Sequence, residues 1–567
     1  MEGKVSLYLG DWQFNAGLIG LVNVLGRENV ELAYDHIVFD LNQLDRFEEA
    51  YFAYFIKTYK KLLSWHKIVS YKQRLVQFES DDFEQFTETD LENLNKYIKD
   101  ILKYYLKSAS YKAAYSLIPS DTDVLALEKE IKTVGKMKKG ETFADKKPEI
   151  IQEIKEQLPK LKEAIDFCES SQGKKYLAAK NVIYTVIKNG WNGVSFLNPQ
   201  TKIPDMYVDY AATFVQPAKV YLEENEEEQT KYKYHCANCN RKIKDLKNDV
   251  SFLNATGFDV SRKAGHVWDS FNDTAVCPLC KLVYSCVSAG FTYVYNDGMF
   301  INASTNLDDL YRMNYTLKHE TLNAGGENIS EVSPYRALIQ NLQKKDLQEQ
   351  KQQLEDVTLV RYENETYRFN ILPTNSLRTI ELANKQLEVL IPTGFKEINT
   401  NFRIYKLVLQ SLFNQENLFY LIHKLLYFKL TNVGNLYYQP FHVRNIIEIN
   451  SIFLGGLNHM TEEKTKTLPG DISWRVNHLG EKFKAEYSAR FNENKLITIA
   501  HQMLGALKIN NRDRFMDVLL NCYSYINKPV PKTLLDVFSS DENFKTIGYS
   551  FVAGIIGKTE KTTEEEK

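Results

Sequence analysis

Apolar and polar positions change period several times along this chain, and each change predicts an element. Val5-Ser-Leu-Tyr-Leu9 alternates with a period of two and predicts a strand. Gly10 to Gly20 (Gly-Asp-Trp-Gln-Phe-Asn-Ala-Gly-Leu-Ile-Gly) follows as a turn entering a helix, with Asp11 as its N-cap. Phe47, Tyr51, Phe55, Tyr59 and Leu62 recur every three or four residues, the spacing of an amphipathic helix whose aromatic face packs into a core. Helical periods continue over residues 90–107, over 149–168 around Pro159, and over 176–189, where Gly190 supplies the stop. Asn192-Gly193 then signals a turn, and the residues to Leu197 a short strand.

Residues 336–356 read as a highly charged helix leading into alternating runs at 358–362 and 366–371, which predict a hairpin around Glu363-Asn364-Glu365. From 401 onward long helical periods dominate, at 401–430, 441–454, 481–507, 512–526 and 541–556. Pro531 suits a first helical position, and Ser540 or Asp541 a final N-cap. No stretch repeats at the roughly 20–50-residue period of solenoids. The expected fold class is therefore α+β: a mixed N-terminal region with an inserted four-cysteine zinc module, then an all-α C-terminal helical bundle. The expected domains are 1–230, mixed α+β; 231–289, the zinc module, behind the acidic run Glu223 to Glu228; 290–400, a mixed continuation with the hairpin; and 401–567, the bundle.

At 567 residues and 44% hydrophobic, the chain has length for about three or four domains and apolar residues enough for real cores, which excludes a disordered protein. Its 71 basic and 73 acidic residues leave a net charge of -2, so any nucleic-acid surface must be a local patch. The 35 tyrosines and 31 phenylalanines suit core packing as well as stacking platforms. The most apolar stretches, such as Leu418 to Leu430, are broken by His423, Lys424 and Lys429 before the roughly 18 residues that a membrane span needs. No charged-then-apolar leader opens the chain, so the expectation is a cytoplasmic protein in reducing surroundings.

Two knuckles, Cys236-Ala-Asn-Cys239 and Cys277-Pro-Leu-Cys280, stand 37 residues apart and use four of the seven cysteines. In a reducing compartment this spacing predicts one tetrahedral Zn²⁺ site with bonds of about 2.3 Å, closed to water and therefore structural. His235 and His266 are spare beside four thiolates, and Cys168, Cys286 and Cys522 show no pairing pattern. Candidate phosphate contacts are Lys136, Lys138 and Lys139 in the loop 132–140, Arg262 and Lys263 between the knuckles, and Lys508, Arg512 and Arg514 at a helix start. A solvated loop accounts equally for the first group, and surface salt bridges for the last. Lys188, Asn189, Trp191 and Asn192 converge on one tight turn. Its amides suit base edges and its indole suits a wedge between base steps, a buried structural turn being the other reading.

Missing motifs narrow the chemistry. There is no phosphate-cradling Gly-x-x-x-x-Gly-Lys loop, no Gly-x-Gly-x-x-Gly after a strand and no His-x-Glu paired with Pro-Cys-x-x-Cys, and Asp35-His36 reverses the order of a His-Asp metal nuclease. Binding or scaffolding is favoured over catalysis. The Gly10 to Gly20 motif, the paired knuckles with Cys-Pro-x-Cys second, and the helical C-terminal third together resemble the large subunit of type I-B CRISPR Cascade, the Cas-eight-b proteins with a CXXC-CXXC zinc motif. The resemblance covers the chain from end to end in order and size.

That resemblance implies a non-catalytic subunit of an RNA-guided antiviral complex. Guide RNA would read the target, while this subunit reads a short flanking motif in double-stranded DNA, stabilises the R-loop with its displaced strand and supports recruitment of a separate helicase-nuclease. It also implies backbone and foot subunits as partners, an N-terminal portion near the flanking motif and a C-terminal bundle near the displaced strand. A small helical subunit made from an internal start is a further implication, with Met460 the better candidate on size. Two other readings stay open at this point: a standalone zinc-ribbon nucleic-acid regulator, and a metal-dependent nuclease with a scattered site.

Overall fold

The computed structural model describes residues 3–121, 123–136, 140–224, 226–257, 275–303, 306–323, 329–343, 357–371, 374–457, 470–491 and 493–557. Lys138, Lys139, Arg262, Lys263, His266 and Met460 lie outside the described residues. The fold is mixed α+β with a helical C-terminal region. The chain divides into two compact units, Met1–Pro334 with Leu359–Phe369, and Tyr335–Thr358 with Asn370–Lys567.

In the first unit β1 (Lys4–Tyr8), β2 (Glu31–Leu32) and β3 (His36–Asp40) form an antiparallel sheet in the order β1-β3-β2. Between β1 and β2 runs α1 (Trp12–Leu25). Asp11 caps it as the sequence predicts, its Oδ1 accepting from Gln13 N at 2.7 Å and Phe14 N at 2.9 Å. The helix is buried nearly all round, as its apolar run from Ala16 to Val22 requires, and Gln13 and Asn15 are buried with it. α2 (Phe47–Thr58) turns Phe47, Tyr51 and Phe55 inward on the predicted aromatic face. The helical period at 149–168 belongs to a longer helix, Phe143–Glu169, that continues through both Pro148 and Pro159.

The short strand expected up to Leu197 does not form. Trp191 makes a single bridge to Leu253, and Ser195–Leu197 is a 3-10 turn because Ser195 takes φ +50°, a left-handed conformation that breaks an extended run. Beyond it, β4 (Tyr234–His235) and β5 (Lys242–Ile243) pair around the first knuckle. The main sheet then runs β6 (Thr292–Val294), β7 (Asp297–Ala303), β8 (Val357–Glu363) and β9 (Thr366–Ile371), neighbours in that order. β8 and β9 are the predicted hairpin. Asn364 and Glu365 take φ +51° and +59°, the two-residue turn whose twist matches the flanking strands.

The second unit is built mainly from helices, including Ile404–Phe413, Phe419–Leu430, Pro440–Leu457, Gly470–Ser488, Glu493–Lys508, Arg512–Tyr525 and Asp541–Ile556. Two of the long helical periods split. The first breaks between Phe413 and Phe419, where Gln415 takes φ +56°, and the second divides into the Gly470–Ser488 and Glu493–Lys508 helices. Ser540 caps the last helix, its Oγ accepting from Asn543 N at 3.0 Å. The periodicity also conceals a small sheet, β10 (Gly394–Glu397), β11 (Thr400–Arg403) and β12 (Leu436–Tyr437), ordered β11-β10-β12. Such short strands, one of them running straight into a helix, leave no alternation to detect.

Candidate metal centre

Each knuckle is shaped by its own local backbone. In the first, Asn240 takes φ +57° and folds the chain back, so that Asn240 N donates to Cys236 O at 3.0 Å and Cys236 N to Arg241 O at 2.8 Å. In the second, Cys277 is the N-cap of the Pro278–Ser285 helix, and Pro278 opens its first turn, where a missing N–H leaves no bond unmade. Cys280 N donates to Cys277 Sγ at 3.3 Å, and Cys277 N donates across to Cys236 Sγ at 3.2 Å. Ala237 N bonds Ala275 O at 2.9 Å and ties the two knuckles together.

The four sulfurs lie within 4.8 Å of one another, with Cys239 Sγ and Cys277 Sγ 3.7 Å apart. A tetrahedron with bonds of about 2.3 Å has sulfur–sulfur edges of about 3.8 Å, so the quartet fits a zinc-sized ion. Cys236, Cys277 and Cys280 are buried, Cys239 is half-buried, and none forms a disulfide. Hydrogen bonds from Cys239, Cys277 and Cys280 hold the Cys236 thiol well below its usual range, and their contact with Cys236 pushes Cys277 and Cys280 up. Four crowded sulfurs that must share protons are a donor set which a divalent cation relieves by displacing them. By contrast, burial pushes Cys168, Cys286 and Cys522 up to about 12, leaving them inert thiols. Among the described residues the quartet is the one cluster of three or more ligating side chains that close together.

The Gly10 to Gly20 motif is packed onto this centre. Tyr284, on the helix that the second knuckle starts, donates its hydroxyl to Asp11 Oδ2 at 3.0 Å, so one carboxylate both caps α1 and receives the knuckle helix. Arg241, just past the first knuckle, donates to Ser6 O of β1 at 2.7 Å. Asn238, inside that knuckle, donates to Cys280 Sγ at 3.6 Å. Further along, α1 lies backbone-to-backbone on the helical segment after the knuckle. A Cβ on Gly20 would sit 1.9 Å from Cys286 O, and one on Gly290 would sit 1.9 Å from Ala16 O. Sequence reading placed the motif and the knuckles separately and missed this joint; the glycine at position 20, inside an otherwise strong helix, is the signal that pointed to it.

The structure places the remaining candidates as follows. Trp191 is fully buried, its Nε1 donating to Ser285 O at 2.9 Å, and Asn189 is buried with its amide donating to Tyr295 O at 3.0 Å. Neither side chain is presented to solvent, so the wedge and base-edge contacts are not available to them as folded; the turn is packed because its indole fills the core beside Phe196 and Phe214. Lys188 and Asn192 at the same turn are exposed, and Asn254 Nδ2, from the stretch between the knuckles, donates to Lys188 O at 2.5 Å. Lys136 is exposed beside Gly135, whose N–H bonds Glu153 at 2.7 Å. Arg512 is committed to an ion pair with Asp541, whereas Lys508 and Arg514 are exposed. His235 is exposed and stands outside the cysteine cluster.

Residues 229–292, which include all four cysteines and the helices that follow them, match the family described as CRISPR-associated protein (Cas_CXXC_CXXC). The match supports a CRISPR-associated role, and it falls on a quartet that could hold a metal ion. No curated protein and no solved structure matches the chain. No helix among the described residues is long and apolar enough to cross a membrane.

Proposed function

We propose that this protein is the large, non-catalytic subunit of a type I-B RNA-guided CRISPR surveillance complex, acting in the cytoplasm, with a structural Zn²⁺ at Cys236, Cys239, Cys277 and Cys280. The observation that carries the reading is the family match centred on a quartet whose geometry suits four-thiolate zinc. Such an ion supplies closure of the knuckles and no open position for a reacting water. The chain's own side chains do the rest. Asp11, Tyr284 and Arg241 lock the N-terminal motif to the knuckles, and Lys136, Lys188 and Asn192, which are exposed, would meet the phosphates and groove edge of the flanking duplex.

In this reading the guide RNA pairs with the target strand, Lys508 and Arg514 attract the displaced strand, and a separate helicase-nuclease cuts. Backbone and foot subunits, and a small helical subunit initiated near Met460, complete the complex. The test is a pull-down of the tagged chain from its native cells, with sequencing of co-purified RNA and mass spectrometry of co-purified proteins. Short repeat-derived guides with a stoichiometric backbone subunit and a C-terminal fragment are expected. Absence of RNA from guide-expressing cells overturns the reading.

A further inference from the structure

Well apart in sequence from the cysteines, the second unit contains a cleft of about 660 Å³ between the Phe419–Leu430, Glu493–Lys508 and Asp541–Ile556 helices, a size within the range of small-ligand sites. Along the first helix, Tyr420, His423 and Tyr427 recur at helical spacing and face it; His501 and Lys508 enter from the second helix, and Lys545 from the third.

Two properties of this lining suit an occupant. The first is apolar exposure. Tyr420 is 80% exposed and Tyr427 46% exposed, although burying an aromatic ring stabilises a fold. The second is positive charge. Lys424 is paired with Glu397, its Nζ 2.8 Å from the carboxylate, whereas among the described residues Lys508 and Lys545 make no direct ion pair, although Lys545 feels the Asp541 carboxylate one turn earlier on its helix. Lys545 stands instead over the Phe419 ring, 5.6 Å from its centroid. Tyr427 and His501 meet edge to face at 6.0 Å, which holds one tyrosine ring upright at the wall rather than collapsed into the gap.

Flat rings beside two solvent-accessible ammonium groups are the complement of a base joined to a phosphate. A purely apolar ligand would leave both ammonium groups unanswered, and an inorganic anion would leave the rings bare. A cleft of this volume takes one or two nucleotides and has no room for a duplex. We propose that it is a nucleotide site, holding phosphate at Lys508 and Lys545 and stacking a base on Tyr420 or Tyr427. The ligand is either a short run of single strand or a free nucleotide. The proposal shares Lys508 with the surveillance-complex reading but stands without it, since it uses no guide, partner or duplex.

The test is fluorescence anisotropy of the full-length chain at low salt with a labelled oligothymidylate of six nucleotides and, separately, with a fluorescent ATP analogue, and with unlabelled ATP as competitor against the first. Binding is expected, weakened on the order of tenfold by Tyr420→Ala. Lys508→Gln and Lys545→Gln are each expected to lower the slope of log affinity against log salt by about 0.7. Displacement by stoichiometric ATP identifies a free-nucleotide site, and resistance to ATP identifies a strand site. All three side chains are at least partly exposed, so the variants should melt like the parent. Absence of binding by both probes, or binding unchanged in all three variants, overturns the proposal. Neither result bears on the pull-down above.

Discussion

Lys318 shows how much a single buried group contributes. Its ammonium is enclosed within the first unit and donates to Tyr54 Oη at 2.9 Å and to Ala289 O, with no carboxylate paired to it among the described residues. Burial lowers it from the usual lysine value to about 7. Between about pH 7 and 10 the unfolded chain therefore binds a proton at this group that the folded chain does not, so Lys318 adds stability as pH rises across that window, opposed by the buried thiols Cys168, Cys286 and Cys522, which lose protons first in the unfolded chain. That contribution is on the order of a few kcal/mol, and Lys318→Met should remove it, giving a lower slope than the parent's. Urea unfolding of parent and variant at about pH 7 and about pH 9 measures the difference in slope, from which the thiols and tyrosines common to both cancel; an identical slope in the variant would remove this account. The residue scale also divides what the sequence could tell. Cys236, Cys239, Cys277 and Cys280 were legible because chelation imposes a local spacing. The burial of Trp191 was not, because its partner Ser285 lies 94 positions away and nothing in the turn itself announces it.

Among elements, the joint between α1 and the segment after the second knuckle decides the sign of a substitution. Gly20→Ala would favour an isolated helix by about 1 kcal/mol. Here the new Cβ meets the Cys286 carbonyl at 1.9 Å, and backbone cannot swing aside as a flexible side chain does. A net loss of about 2 kcal/mol or more is expected, read as a lower Tm. The same joint carries the effect of metal. Cys277→Ser, or a chelator, should abolish bound zinc and also raise hydrogen exchange in α1, because Tyr284 holds Asp11 from the knuckle helix. Full metal content, or exchange confined to the knuckles, would contradict that coupling. Elements with strong periods, such as α2 and the final helix, were readable from the chain. The β10-β11-β12 sheet was not, since strands of two to four residues are fixed by pairing rather than by their own pattern.

For the molecule as a whole, the α+β class followed from the change of period along the chain, whereas the composition of the two units did not. The first unit takes in Leu359–Phe369, a segment separated in sequence from the rest of it, and no local signal marks a hairpin as belonging to a sheet begun some fifty residues earlier. A fragment spanning residues 1–369 should accordingly melt cooperatively. One spanning 1–334 leaves the largely buried strand β7 without its β8 neighbour and should aggregate through that edge. Circular dichroism and light scattering of the two fragments decide this; equal solubility and melting would show that the hairpin is dispensable.

The late arrival of that hairpin also sets a timetable for synthesis. A ribosome adding about 5–20 residues each second needs roughly 3–11 s to travel from the end of β7 to the start of β8. Throughout that interval both knuckles have already been made, while β7 waits with one edge open. Metal capture can precede completion of the sheet, and the nascent chain has several seconds in which a chaperone, or a neighbouring nascent copy on the same message, can reach the edge before its own hairpin does.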